Sequence, residues 1–519
     1  MLREVQLTLN PEQASSLETI KKVALQKIGI ESFGDFSVRI VRKSVDARGR
    51  FPKINLTALL SNKDFETTYS NTFDYKNVSN APEVLIVGAG PAGLFAALRL
   101  IELGLKPIIL ERGKEVAERK KDIAQLNRNL SINEDSNYCF GEGGAGTFSD
   151  GKLFTRSKKR GDIRRILETF HIHGAQDEIL YEAHPHIGTD KLPIVIKNIR
   201  KTILDCGGEV HFGSKLSNLI LQGNKVVGAK TADGNSFSAK AIILSTGHSA
   251  RDVYELLQQQ NILIESKGFA MGVRVEHPQE LIDQIQYHSK KKDPFLPAAT
   301  YNLVQQVDGR GVYSFCMCPG GHIVPASTAK DELVVNGMSS SKRNSPFANS
   351  GIVVEIRPED LPDYNKNNLC GLEFQKTIER LALANNGGGL QTAPAQRLAD
   401  FAKGRLSADL PQCSYLPGVI SSPLSFWLPK SIGKRLQQGF KAFDKKMHGF
   451  LTNEALIVGV ESRSSSPIRI PRDKETGEHL QISGLFPCGE GSGYAGGITS
   501  SAMDGEWIAE KVKNFLSEK

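Results

Sequence analysis

The chain has 519 residues, more than one ordinary hydrophobic core accommodates, so two or three domains are expected. Hydrophobic residues make up 39% and charged residues 24%, the balance of a soluble globular protein, and no stretch is a convincing membrane span. The net charge of +8 is too small over this length to indicate nucleic acid by itself. Seven scattered cysteines argue against a disulfide framework, and the polar N-terminus lacks a signal-peptide core, so a cytoplasmic location is expected.

Residues 1–80 are predicted to form a separate small domain. The segments VQLTLN, DFSVRIVRKSVDAR and KINLTALL have the alternation of strands, and residues 11–28 have the pattern of an amphipathic helix. This mixture predicts an α+β unit of the ferredoxin-like kind. The polar segment SNTFDYKNVSNAP then predicts a linker.

The segment VLIVGAGPAGLFAALRLIELGLKPIILER is the most informative part of the chain. An apolar strand runs into the pattern GxGxxG, a helix follows, and a second strand ends at Glu111. In such an arrangement the glycines permit a tight turn, a close approach of backbone to a pyrophosphate and close helix packing, and the acid accepts hydrogen bonds from a ribose. The residues predicted to bind a dinucleotide here are Gly88, Gly90, Pro91, Ala92, Gly93, Glu111 and Arg112.

Short β segments follow, EVHF, LSNLIL, KVVGAKTA and FSAKAIILST, which predict a β-meander returning to a buried strand. That strand runs into the small-residue turn of AIILSTGHSAR. Near the C-terminus, GLFPCGEGSGYAGGITSSAMDGEWIAEKV combines a strand, a glycine-rich loop and a helix that starts near Gly497. With these segments the chain resembles the glutathione-reductase-type flavoproteins, and it is more closely similar to bacterial FAD-dependent dehydrogenases over residues 80–519.

The resemblance implies FAD as the cofactor. Gly88, Gly90 and Gly93 would then hold the pyrophosphate, and Glu111 the adenosine ribose. Further cofactor contacts would come from Thr246 and Gly247 in the second motif, from Gly489 and Glu490 beside the ribitol, and from Gly496, Gly497 and Ile498. These last residues would put a helix N-terminus against the flavin N1–C2 edge, where its dipole stabilises the reduced anion.

The predicted fold class is therefore α/β, with a Rossmann-like FAD-binding domain in two parts, residues 81–267 and 451–519. An α+β substrate domain is expected as an insertion over residues 268–450. It contains the strand-like segments FAMGVRVEH, GVYSFCMC and ELVVNGM, and helices are predicted near residues 373–385 and 431–447.

The segment FGEGGAGTFSDGKL is similar to the second glycine loop of fumarate-reductase-like flavoproteins. That resemblance implies a loop lying along the pyrophosphate and the flavin ring. Its predicted cofactor contacts are Gly143, Gly144, Ala145, Thr147 and Ser149, and Lys152 is a candidate for catalysis beside the flavin. A surface Ω-loop is the alternative interpretation.

Three further residues are candidates for chemistry with the substrate. His322 follows two glycines and is the first choice for an acid or base. Arg274, on the polar face of FAMGVRVEH, is a candidate for holding a carboxylate, although an ion pair across the strand is the more ordinary interpretation. Arg463, just before the chain returns to the FAD-binding domain, is a candidate anion clamp. No metal site is predicted, because the two cysteines of YSFCMC are too few for a structural zinc site and no second CxxC lies nearby.

Cys316 and Cys318 lie on one face of a predicted strand, with Cα atoms about 6.6 Å apart if the strand is extended. That distance is near the upper limit for a disulfide, so a redox pair feeding the flavin is possible. The CxxxxC pair of glutathione-reductase-like enzymes is absent, and two structural cysteines are the preferred interpretation.

The predicted function is an FAD-dependent oxidoreductase, a dehydrogenase or reductase, acting on a small and possibly anionic substrate. No second GxGxxG with a βαβ context occurs, so a dedicated NAD(P)H domain is not expected, and a protein electron donor is possible. Residues 39–53 hold six basic residues against one acid. An FAD-dependent RNA-modifying protein is therefore one alternative function, although nucleic acid is not favoured as a partner. A non-catalytic flavin-binding sensor is another.

Overall fold

The computed structural model describes residues 2–30, 36–65, 73–155 and 161–518. Its N-terminal unit is a three-stranded antiparallel sheet of order β1-β3-β2, and alternate residues of β3 pack against Ile20, Ala24 and Leu25 of one helix. The elements are β1 (Leu2–Leu9), α1 (Leu17–Lys27), β2 (Ser37–Asp46) and β3 (Lys53–Ser61). The predicted α+β composition is present. Within the described ranges the second helix and fourth strand of a ferredoxin-like unit are absent, because residues 73–78 run as coil toward the next domain.

The second unit is built on a parallel sheet of five strands. In spatial order these are β22 (Leu485–Pro487), β10 (Ile242–Leu244), β4 (Glu83–Val87), β5 (Lys106–Leu110) and β6 (Glu209–His211). Its central strands are buried apolar runs, as expected where helices cover both faces of a parallel sheet. The elements of its first part are β4 (Glu83–Val87), α2 (Pro91–Glu102), β5 (Lys106–Leu110), α3 (Val116–Asn127), α4 (Ile163–Ile172), α5 (Leu192–Asp205), β6 (Glu209–His211), β7 (Leu216–Gln222), β8 (Lys225–Thr231), β9 (Ser236–Ser238), β10 (Ile242–Leu244), α6 (Arg251–Gln259) and β11 (Glu265–Ser266).

This sheet confirms the predicted Rossmann-type fold and corrects one detail of the strand assignment. The segment EVHF, predicted as the first strand of the meander, is β6 and pairs with β5 at the edge of the parallel sheet. The meander consists of β7, β8 and β9 alone, and β10 then returns to the parallel sheet beside β4.

The third unit contains a seven-stranded sheet of order β13-β14-β17-β12-β20-β18-β19. Its pairs are antiparallel except for β18 with β19, and an apolar core lies between the sheet and its helices. The elements are β12 (Phe269–Pro278), α7 (Gln279–Tyr287), β13 (Val304–Val307), β14 (Arg310–Cys318), β15 (Gly321–Pro325), β16 (Val335–Ser339), β17 (Phe347–Ile356), α8 (Cys370–Ala384), β18 (Ala393–Arg397), α9 (Leu398–Lys403), β19 (Val419–Ser421), α10 (Leu424–Trp427), α11 (Lys430–Lys446) and β20 (Leu456–Glu461).

The third unit extends beyond the predicted boundary at residue 450, because β20 pairs inside this sheet with both β12 and β18. The chain then returns to the parallel sheet through β21 (Ile468–Arg469), β22 (Leu485–Pro487) and α12 (Ile498–Ser517). Helices α2 and α12 cross closely at Gly505, where a Cβ would lie 2.1 Å from the carbonyl oxygen of Ala92. This crossing brings the N-termini of the two helices to the same side of the sheet.

Candidate functional site

A cleft opens at the carboxyl edge of the parallel sheet. Residues that follow β4, β5, β10 and β22 line it, among them Gly88, Glu111, Thr246 and Glu490. Residues of the seven-stranded sheet close its far end, including Cys316 of β14. In open parallel sheets, ligands bind at this edge, since the loops after neighbouring strands converge there.

Glycine is required at two of the three positions of the first loop by the surrounding protein, and at the third position it is not. Gly88 has a φ of 107°, and a Cβ on it would lie 2.5 Å from the carbonyl oxygen of Ser245. A Cβ on Gly93 would lie 2.0 Å from the carbonyl oxygen of Gly88. Gly90 is different, because its backbone conformation is ordinary and the nearest atom to its Cβ position is the Cα of Gly144, 3.9 Å away. Neither backbone strain nor protein packing requires glycine at position 90, so the open space beside it in the cleft is available to a ligand.

Glu111 is buried and organises the wall of the cleft. Its carboxylate accepts hydrogen bonds from the backbone amides of Ala89, Gly113 and Gly141 at 2.8, 2.9 and 3.0 Å. Two carboxylate oxygens offer about four acceptor positions, so one remains for a ligand hydroxyl. This agrees with the ribose contact that the sequence predicts.

The second glycine loop packs directly on the first. The amide of Gly143 donates to the carbonyl oxygen of Ala89 at 2.8 Å, and a Cβ on Gly144 would lie 3.0 Å from the Cα of Gly90. Gly144 and Ala145 line the cleft. The alternative of a separate surface Ω-loop is therefore wrong.

A second helix N-terminus faces the other end of the cleft. Helix α12 begins after Gly497, and Gly496, Gly497 and Ile498 all line the cleft. A Cβ on either glycine would meet no protein atom within 4 Å. The cleft thus runs between the positive ends of α2 and α12, with bare backbone beside both, which suits an elongated anionic ligand such as a dinucleotide.

Comparison with protein families agrees with this geometry. Residues 81–129 match the model of an FAD binding domain, and residues 268–464 match the C-terminal domain-like model of FAD-dependent proteins. Residues 1–61 match a domain of unknown function.

One relative covers nearly the whole chain. An uncharacterised protein of Clostridium beijerinckii is 38% identical over 524 residues, which span 97% of this chain and 97% of the relative. The chain belongs to this family of FAD-dependent proteins. A thiamine thiazole synthase of Aeropyrum pernix is 26% identical over 183 residues, 32% of this chain and 55% of that enzyme. FAD is the cofactor of the family, and the cleft provides the site that would hold it in this flavoprotein.

Solved structures align over most of the flavoprotein at low identity. A geranylgeranyl bacteriochlorophyll reductase-like protein from Thermoplasma acidophilum is 14% identical, with 84% of this chain and 79% of that chain covered and a TM-score of 0.36. A glycine oxidase from Bacillus cereus is 13% identical, with 84% of this chain and 96% of that chain covered and a TM-score of 0.31.

Most of the predicted cofactor residues of the flavoprotein line the cleft. These are Gly88, Gly90, Pro91, Ala92, Glu111, Arg112, Gly144, Ala145, Thr246, Gly247, Glu490, Gly496, Gly497 and Ile498. Five others lie behind the wall and support it: Gly93, Gly143, Thr147, Ser149 and Gly489. The Thr147 hydroxyl, for example, donates to the Glu142 carbonyl oxygen at 2.8 Å, and the amide of Gly489 donates to Asp504 at 2.8 Å.

Arg274 does not reach the cleft. It is fully buried, and its guanidinium pairs with Glu461 at 3.0 Å and donates to Asn349 at 2.8 Å and to the carbonyl oxygen of Cys316 at 2.7 Å. The predicted role in holding a substrate carboxylate is therefore wrong, and the ordinary interpretation, a buried ion pair, is the observed one.

Arg463 lines the cleft but is held by acidic side chains. It pairs with Glu332 and Glu379, and Arg251 pairs with the same two carboxylates. Despite burial, the two arginines hold the pKa of Glu379 well below its usual value. Because this cluster of two arginines and two glutamates is already charge-balanced, Arg463 is poorly suited to the anion clamp that was predicted.

His322 does not line the cleft. Its side chain is exposed on β15, so the structure does not support the predicted acid or base role. A different histidine, His248, lines the cleft directly after Gly247, with its Nε2 4.0 Å from Oε1 of Glu490. Burial lowers the pKa of His248 to about 4 and raises the pKa of Glu490 to about 7. His248 was missed because nothing in the sequence separates it from a turn residue.

Lys152 lies behind the cleft, beside the two cysteines of β14. Its Nζ is 3.0 Å from Oδ2 of Asp150, 3.9 Å from Sγ of Cys316 and 3.7 Å from Sγ of Cys318. Burial alone would lower the pKa of Lys152, but the neighbouring cysteines and Asp150 raise it above its usual value. The lysine is therefore a cation held against a pair of thiols, a role that its position in the second glycine loop did not indicate.

The described residues contain neither a membrane-spanning helix nor a metal-binding cluster. Every helix in residues 2–30, 36–65, 73–155 and 161–518 is too short or too polar to cross a bilayer. In the same residues, no cluster of three or more His, Cys, Asp or Glu side chains is arranged to hold a metal ion.

In the basic stretch of residues 39–53, Lys43 pairs with Glu182 at 3.3 Å and Arg48 pairs with Asp46 at 2.6 Å.

Proposed function

We propose that this flavoprotein is an oxidoreductase, a dehydrogenase or reductase, that acts on a small-molecule substrate at the far end of the cleft. The observation that carries the proposal is that two units build this end. The N-terminus of α12 lies there together with Cys316 of β14 and Asn336 of β16. FAD, when bound, supplies the two-electron redox chemistry, so the chain has to orient the reacting partners and handle protons.

The start of α12 supports a role in electron transfer. Gly496 and Gly497 place backbone without side chains beside the cleft at the positive end of a 20-residue helix, and the Gly496 amide donates to the Ser500 hydroxyl at 3.2 Å. A helix N-terminus favours negative charge, and it therefore favours the reduced, anionic form of a flavin whose N1 edge it faces. Such an arrangement raises the tendency of the cofactor to accept electrons.

Glu490 is the proposed proton-carrying group. Its carboxyl lines the cleft, and burial raises its pKa to about 7. An acid or base is most effective when its pKa lies near the working pH, because both protonation states are then populated. His248, whose pKa is lowered to about 4, is neutral at pH 7 and is suited to hydrogen bonding rather than to carrying charge.

The substrate is proposed to be small, and no negative charge is required of it. Both arginines that the sequence offered for an anion, Arg274 and Arg463, are engaged with buried carboxylates. Electrons are proposed to come from the substrate itself or from a protein donor. One parallel nucleotide-binding sheet is found in the described part of the chain, and the FAD-binding motifs occupy it.

The experiment is anaerobic reduction of the purified flavin-loaded protein by NADH, by NADPH and by a panel of small metabolites, followed by flavin absorbance. At least one compound is expected to bleach the flavin. With Glu490→Gln, the flavin should stay bound while the reduction rate falls and loses its pH dependence near 7. The matched control is Glu478→Gln, a substitution outside the cleft. A flavin that dithionite reduces but that no compound of the panel reduces at any pH would favour the sensor alternative.

A further inference from the structure

We propose that Cys316 and Cys318 form a redox-active dithiol that exchanges two electrons with the flavin. The inference rests on the proposed function, since it requires FAD in the cleft. Cys316 lines the far end of the cleft, where α12 begins, and Cys318 is fully buried behind it. Both are free cysteines in the structure.

The strand that carries the two cysteines is not flat. Its pairing with β17 shifts register between Phe315 and Cys318, and Cys316 has a φ of 46°, which is rare for a residue other than glycine. This β-bulge replaces the extended geometry that the sequence predicts. The Sγ of Cys318 lies 3.3 Å from the carbonyl oxygen of Cys316, and both sulfur atoms lie within 4 Å of the same ammonium group, that of Lys152. Bulges beside active sites commonly re-aim a side chain in this way.

Two cations contact the pair from separate elements. Lys152 Nζ lies within 4 Å of both sulfur atoms, and Arg274 Nη2 lies 3.4 Å from Sγ of Cys318. Each cation is fixed by its own acid, Lys152 by Asp150 and Arg274 by Glu461. Gly337 makes room for the guanidinium, since a Cβ there would lie 2.2 Å from Arg274 Nη2.

This environment favours a thiolate at Cys316. A hydrogen bond from Cys318 and the charges of Lys152 and Arg274 outweigh burial and hold the pKa of Cys316 well below its usual value. The pKa of Cys318 is correspondingly raised, so this thiol keeps its proton. A thiolate paired with a protonated thiol is the reactive arrangement of dithiol oxidoreductases.

Oxidation of the two cysteines by the flavin requires no further oxidant or proton acceptor. The Cys316 thiolate and the Cys318 thiol lose two electrons and one proton as the S–S bond forms. The oxidised flavin takes up those two electrons and that proton and becomes the reduced anion. The reverse reaction opens the disulfide after a substrate has reduced the flavin.

The test is an anaerobic dithionite titration of the flavin-loaded protein after mild oxidation by ferricyanide and removal of the oxidant. The wild-type protein should take up about four electrons per FAD, two for the flavin and two for the disulfide. Cys316→Ser and Cys318→Ala should each take up about two. Cys206→Ser, a substitution at the end of α5, is the matched control and should still take up about four.

Peptide mapping provides a readout that needs neither turnover nor a variant. After oxidation, Cys316 and Cys318 of the wild-type protein should resist alkylation until the protein is reduced, while Cys206 is alkylated after denaturation in both states. Uptake of two electrons by the wild-type protein, with both cysteines alkylated after oxidation, would overturn the dithiol proposal and leave the flavin reaction standing. Failure of the proposed function has a different signature, because the flavin would then remain oxidised with every substrate.

Discussion

The carboxylate of Glu111, at the end of β5, accepts a hydrogen bond from the backbone amide of Gly141 at 3.0 Å. The same carboxylate accepts from Ala89 in the first glycine loop and from Gly113 in the turn after β5. One buried acid therefore joins three segments of the cofactor wall. Its position in the sequence predicted a ribose contact, but it did not predict this internal role.

Glu111→Gln should weaken FAD binding by about 10–100-fold. A carboxamide has one acceptor oxygen, so its NH2 group would face at least one of the three backbone donors. Hydrogen bonds to a charged group contribute about 1.5–3 kcal/mol, which corresponds to that range of affinity. FAD affinity can be measured by the fluorescence of released flavin. Glu118→Gln, an exposed acid on α3, is the control. Unchanged affinity for Glu111→Gln would show that the three bonds do not matter for retaining the cofactor.

Gly90→Val should give a folded protein without flavin. The substituted side chain has an allowed backbone conformation, and its Cβ lies 3.9 Å from the nearest protein atom, so it would fill only the space for the ligand. Circular dichroism and the melting temperature should match those of the flavin-free wild-type protein, while FAD is not retained. Stoichiometric flavin in this variant would show that the pyrophosphate lies elsewhere.

Gly93→Ala should have the opposite phenotype. Its Cβ would lie 2.0 Å from the carbonyl oxygen of Gly88, a backbone atom that cannot give way without moving the loop. Overpacking of this kind costs about 1–3 kcal/mol, so the melting temperature should fall even when FAD is in excess. A variant with wild-type stability would show that the loop relaxes freely.

Lys152→Met should raise the pKa of Cys316, because removing a neighbouring positive charge disfavours the ionised thiolate. The sign follows from the lowered pKa of Cys316. In the wild-type protein the thiolate persists well below pH 9, and it is lost only as the pH falls through that lowered value. The pH dependence of iodoacetamide alkylation at Cys316, read by mass spectrometry, measures the midpoint. Lys152→Arg retains the positive charge and should keep the wild-type midpoint of alkylation. Equal midpoints for the Lys152→Met and Lys152→Arg variants would exclude an electrostatic role of Lys152.

The local features of the cofactor site were predictable, because the strand, glycine loop, helix and acid of residues 84–111 are contiguous and each has its own sequence pattern. The features of the site that could not be predicted depend on contacts with residues far away in the sequence. Arg274 meets Glu461, 187 residues away, and Arg463 meets Glu379, 84 residues away. Nothing local distinguishes such an arginine from one that binds a substrate. The bulge at Cys316 likewise arises from pairing with β17, so strand alternation alone predicted flat geometry.

Glu276→Gln should remove a pH-dependent loss of stability. Burial raises the pKa of Glu276 from 4.5 to about 7, even though Ser414 donates to its carboxylate through both backbone and hydroxyl. Because the folded-state pKa is the higher one, stability is fully present below pH 4.5 and is lost as the pH rises to 7 and above, by at most about 3 kcal/mol. The variant should therefore gain in melting temperature over the wild-type protein between pH 5 and pH 8. Glu280→Gln, exposed on α7, should show no such trend. A pH-independent difference for Glu276→Gln would mean that the carboxyl does not titrate in this window.

Gly497→Leu tests whether the start of α12 stabilises the reduced flavin. A Cβ at position 497 meets no protein atom within 4 Å, so the leucine would enter the cleft and separate the helix from its ligand. FAD should stay bound with lower affinity, because the first glycine loop and Glu111 still hold the other end. The reduction potential should fall, since the reduced anion loses more stabilisation than the neutral oxidised ring. For a two-electron couple, each 1.4 kcal/mol of lost differential stabilisation lowers the potential by about 30 mV.

A potentiometric titration of flavin-loaded protein measures this change directly. Gly497→Ala introduces one methyl group in the same place and should give a smaller decrease than Gly497→Leu. Gly433→Ala is the remote control, because its Cβ on α11 would lie 3.9 Å from the nearest atom and outside the cleft. If the potential of Gly497→Leu equals that of the wild-type protein while FAD remains bound, the N-terminus of α12 does not face the reducible ring. The charge stabiliser would then have to be sought among the cations at the same end of the cleft.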